Sequence, residues 1–61
     1  MNDQDAIKAA YAEALKNLYD VLLGAFAEAA QDQTAQNQAK QRFSSGLALA
    51  RKVRDAALVL L

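Results

Sequence analysis

The chain has no cysteine, no histidine, no proline and no tryptophan, and only two glycines in 61 residues. Without cysteine and histidine it has neither disulfides nor the commonest structural zinc ligands, the usual staples of a small fold. The same absence leaves no way to assemble a nucleophile–base pair of the common types. Without proline, little in the chain forces a helix to stop. No apolar run is long: Val21 to Ala27 covers seven residues, against the ~20 that span a bilayer. The opening stretch Met1-Asn2-Asp3-Gln4-Asp5 is polar and acidic, the reverse of a secretory leader. These features lead to the expectation of a cytoplasmic, non-enzymatic protein with no membrane segment, no cofactor or metal and no small-molecule substrate.

What is present favours helix. Fifteen alanines, six glutamines and a supply of Leu, Lys and Glu are residue types that lose little entropy in a helix. A hydrophobic fraction of 54% is too high for a disordered chain. The expected class is all-α. A chain this short buries only about 60% of its unfolded surface, so a lone core is marginal and oligomerisation is the remedy left.

Apolar residues recur in alternating steps of four and three at Ile7, Tyr11, Ala14, Leu18, Val21 and Ala25, and again at Ala39, Phe43, Gly46, Ala50, Val53, Ala57 and Leu60. Both are heptad seams, but they are out of phase. Either a stutter within one long helix or a turn between two absorbs the difference. The stretch between them, Gln31 to Gln38, lacks Pro and Gly but offers Asp32 and Thr34 as N-caps. Residue size favours the turn. Folding the chain back about Thr34 sets Leu18 against Ala50, Ala25 against Phe43, Tyr11 against Ala57, Ala14 against Val53 and Val21 against Gly46, each large against small, with Ile7 meeting Leu60. The expected fold is an antiparallel two-helix hairpin: a helix over about 4–31, a turn at about 32–35 and a helix over about 36–60. Arg51 and Asp55, spaced i, i+4, are expected to pair.

One seam joins two helices, and this chain has apolar residues to spare. Leu15, Tyr19, Leu22, Leu23 and Phe26 widen the first face, while Leu47, Leu49 and Leu61 flank the second. The last six residues, Ala56 to Leu61, are all apolar and read as a turn that something covers. Burying four leucines contributes about 6–12 kcal/mol, comparable with the stability of a whole domain. Two hairpins joined as a four-helix bundle bury them by symmetry. A helix of another protein is the competing partner.

The remaining polar features divide between bland and chemical explanations. Ser44-Ser45-Gly46 lacks the strand–turn–helix setting of a serine nucleophile and reads as helix surface beside a close contact at Gly46. Glu13 and Asp20 share a face but lack the Glu-x-x-His pattern of bundle di-metal sites, so they read as solvated charges. Glu28 continues the first seam and is expected to reach water near the turn, a register-setting role being the alternative.

Net charge is zero, yet unevenly spread. Residues 1–33 carry six carboxylates against two lysines, a balance of −4, and residues 34–61 carry five cations against Asp55, a balance of +4. Attraction between an acidic and a basic helix accounts for this without a ligand. Lys40, Arg42, Arg51, Lys52 and Arg54 are nevertheless the one candidate anion-binding set. In length and architecture, though in no residue motif, the expected hairpin is similar to the RNA-binding plasmid copy-number regulators called Rop. It is similar in the same limited sense to the small helical co-chaperones of type III secretion. The first resemblance implies a nucleic-acid partner and the second an apolar face covering a partner helix. Self-association as an interaction module needs no such analogy and is the expectation preferred.

Overall fold

The computed structural model describes residues 2–61 as two α-helices, α1 (Asp3–Ala29) and α2 (Gln33–Val59), packed against each other as a hairpin. Each has 27 residues, or about 40 Å at 1.5 Å per residue, which accounts for the 45 × 18 × 7 Å extents. The continuous helix with a stutter is therefore set aside. No described helix is long and apolar enough to cross a membrane.

Both helices begin on side-chain caps. The Asn2 carboxamide accepts from the Asp5 backbone N–H at 2.8 Å, and the Asp32 carboxylate accepts from that of Ala35 at 3.2 Å. Each satisfies a donor that has no partner within its helix. Asp3 and Asp5 place negative charge in the first turn of α1, where the helix dipole favours it.

The turn is Ala30 to Asp32, earlier than the fold-back about Thr34 expects. It closes without glycine or proline. Ala30 takes φ 53°, ψ −108°, a left-handed conformation costly for a residue with a Cβ. Four hydrogen bonds hold it there: Ala30 N–H to the Phe26 carbonyl at 3.1 Å, Asp32 N–H to that of Ala29 at 2.8 Å, and Gln36 N–H to that of Asp32 at 3.0 Å. In the fourth, the Gln36 side-chain amide donates to the Ala30 carbonyl at 2.7 Å, tying the first turn of α2 to the end of α1.

The earlier turn changes the register between the helices. Leu18 lies against Gly46, where an added Cβ would stand 2.6 Å from its Cδ2. Tyr11 lies under the Arg54 guanidinium, 4.5 Å from the ring centroid. Leu18 thus reaches its glycine rather than centring on Ala50, and Tyr11 meets Arg54 rather than Ala57. The difference is about one helical turn, as a shorter connection requires.

The interhelical seam is also rotated. Ile7, Tyr11, Ala14, Leu18, Ala25, Phe43, Gly46, Ala50 and Ala57 are half-buried, as their heptad positions anticipate. So are Leu15, Leu22, Phe26 and Leu47, which the sequence had left for a partner. Val21, Val53 and Leu60, placed in the seam by the heptads, are instead 68%, 58% and 86% exposed. Leucine and phenylalanine remove more apolar surface from water than valine, so the rotation that buries their rows is favoured. Among the described residues Ala39 alone is buried, at 5% exposure near the turn.

Candidate functional site

The rotated seam gives the hairpin two unlike flanks. On one lie Leu15, Leu22 and Phe26 of α1 and Leu47 and Arg54 of α2, all half-buried. The Arg54 guanidinium stacks on Tyr11 and donates from Nε to Asp55 Oδ1 at 3.0 Å. That carboxylate, hydrogen-bonded and close by, holds Arg54 above its ordinary pKa. Asp55 is thereby engaged by its neighbour and not by Arg51, the i, i+4 partner expected from spacing. Tyr19 and Leu23, 57% and 58% exposed, lie further round α1, lining a shallow hollow with Leu22 and Phe26.

On the other flank runs an open groove lined by Ala14, Asn17, Leu18 and Val21 of α1 and by Gly46, Leu49, Ala50 and Val53 of α2. None of these residues is charged. A recess of about 90 Å³ lies toward the turn, lined by Leu18, Val21, Leu22, Ala25, Ala39, Arg42 and Phe43, so that Leu22 of the first flank also reaches it. Gly46 makes the groove possible, since without a side chain it lets Leu18 sink between the helices and leaves the floor low. Val21, Leu49 and Val53 form the walls, each more than half exposed.

Helix geometry supplies two charged rims. Glu13, Asn17 and Asp20 fall at i, i+4, i+7 and form one row on α1, its middle member lining the groove. Arg42, Ser45, Leu49 and Lys52 form the corresponding row on α2, with Leu49 lining the groove. One rim carries two carboxylates, with Lys16 one helical turn from each, and the other carries two cations. Glu28 is exposed beside Arg42 in a shallow depression near the turn.

The five candidate anion-binding cations do not converge. Arg54 is occupied by Tyr11 and Asp55. Arg42 and Lys52 stand on the groove rim, while Lys40 and Arg51 follow the row of Leu47 on the opposite flank. Arg42 shares an open hollow with Gln38, Gln41 and Ser45, but no second cation lines it. Ser44 and Ser45 are exposed on α2. Among the described residues no three carboxylates come together as metal ligands.

Leu60 and Leu61 are 86% and 55% exposed beyond the end of α2. The sequence patterns mark every groove residue except Asn17, but divide them, with Val21 and Val53 in the interior and Leu49 on a partner face. The signal that joins them is Gly46, whose missing Cβ lowers one wall enough to turn three exposed side chains into a single concave strip. No family model, no curated protein and no solved structure matches this chain.

Proposed function

We propose that this chain is a small, non-catalytic protein–protein interaction module that acts by self-association, two hairpins packing face to face as an antiparallel four-helix bundle. One observation carries this. The hairpin exposes 4720 Å², where a compact monomer of its 6.6 kDa exposes roughly 3,900 Å². The surplus of roughly 850 Å² per chain is close to what each partner of a standard-size interface covers. The uncharged groove supplies a place for it, and a second hairpin supplies the complementary apolar face by symmetry.

Thermal unfolding followed by far-UV circular dichroism tests this. If folding and association are coupled, the midpoint rises by several degrees for each tenfold increase in protein concentration. A sharp transition at a concentration-independent midpoint contradicts the proposal. So does a chain that is poorly helical alone and becomes helical only with an added partner, which is the behaviour of a dedicated adaptor.

A further inference from the structure

We infer that a second copy docks on the groove walled by Val21, Leu49 and Val53, with the twofold axis running along the hairpin, so that α1 of one copy packs on α2 of the other and both turns lie at one end. This rests on the self-association proposed above and adds to it the face and the topology. Two twofold arrangements lay groove on groove. An axis along the hairpin puts α1 over α2 of the second copy, whereas an axis across it puts α1 over α1 and α2 over α2.

The rims choose between them. Leu18 against Gly46 and Tyr11 against Arg54 fix the heights along the hairpin. Glu13 follows Tyr11 by two residues and Lys52 precedes Arg54 by two, so these two stand level. Asp20 and Arg42 differ by about two residues of rise, or ~3 Å. With the axis along the hairpin, heights are preserved. Glu13 then meets Lys52 of the second copy, Asp20 meets Arg42, and each pair occurs twice. With the axis across, Glu13 and Asp20, which straddle the middle of α1, come over one another and bring like charges together. The net charges of the helices, −3 for α1 (five carboxylates against two lysines) and +4 for α2 (five cations against Asp55), act in the same sense. Packing agrees, because in the favoured arrangement Leu49 falls at the height between Ala14 and Asn17, against smaller side chains.

The test uses the absence of native cysteine. Gln31→Cys, in the exposed turn, carries one nitroxide label per chain, and pulsed dipolar spectroscopy reads the separation. The favoured arrangement gives about 10–20 Å, the spacing of packed helices plus the label arms. The crossed arrangement gives a value near the 45 Å length of the hairpin. A long distance in a species of dimer mass overturns the topology and leaves self-association standing, whereas no coupling in a species of monomer mass overturns both. Charge reversal checks the same point without labels. Glu13→Lys with Asp20→Lys should weaken association about tenfold at low salt, and adding Arg42→Glu with Lys52→Glu should restore it. Unchanged association in the first variant contradicts the rim pairing.

Discussion

The two flanks of the hairpin carry similar kinds of side chain but are finished differently. On one, Leu15, Leu22, Phe26 and Leu47 have been drawn into the interhelical seam, and Arg54 closes over Tyr11 with Asp55 behind it. On the other, Val21, Leu49 and Val53 remain 68%, 62% and 58% exposed around a floor lowered by Gly46. The difference teaches which surface the fold has already used. A side chain already half covered by its own chain has less left to gain from a partner, so the groove flank holds the larger share of unspent hydrophobic stabilisation.

The largest effect separates the flanks directly. Leu49→Asp places a charge in the groove of both copies and should weaken association by at least about a hundredfold, because two leucines lose their burial. Leu23→Asp, on the far side of α1, should change it by less than about threefold, as an exposed surface substitution does. Sedimentation of the two variants side by side decides, and the reverse order would move the interface to the other flank.

Next comes the closed flank. Arg54→Ala removes the stack on Tyr11 and the covering stem, and should lower the stability of the hairpin measurably. Denaturant titration measures this, with the label separation in the turn unchanged.

The two glycines give a smaller contrast of opposite sign. Gly24 has nothing within 4 Å of an added Cβ, so Gly24→Ala should stabilise by about 1 kcal/mol through helix propensity alone. Gly46→Ala has the same propensity gain, but its Cβ would stand 2.6 Å from Leu18 Cδ2 and raise the groove floor. It should show little or no gain and weaker association. Equal stabilisation by both substitutions would mean that Gly46 is not a packing contact. Ala30→Gly, at the turn that both flanks share, should stabilise by about 1 kcal/mol by relieving the strained φ of 53°, with the arrangement of the two copies unchanged.

Much of the fold is legible in the sequence because it depends on repeating patterns. Two out-of-phase heptad runs, an Asp32 cap and the pairing of large with small residues are enough to reach a hairpin. The turn was less legible, since it has no glycine or proline and relies on Ala30 in a conformation that alanine rarely adopts. Gln36 supplies the missing restraint, and no local rule marks it. Register follows from the turn, so a connection a few residues shorter sets Leu18 against Gly46 instead of Ala50. Val21 and Val53 then stand on the surface instead of in the interior. The rims were visible only as a difference in charge between halves, because deciding whether Glu13 and Lys52 stand level requires the register itself.

The mass of the chain in solution tests the central claim most directly. Sedimentation equilibrium at micromolar concentration should return twice the 6.6 kDa chain mass, falling toward the single-chain value on dilution as helical content is lost. A species of one chain mass, fully helical and unchanged by dilution, would show that the hairpin is complete on its own and that nothing covers Val21, Leu49 and Val53.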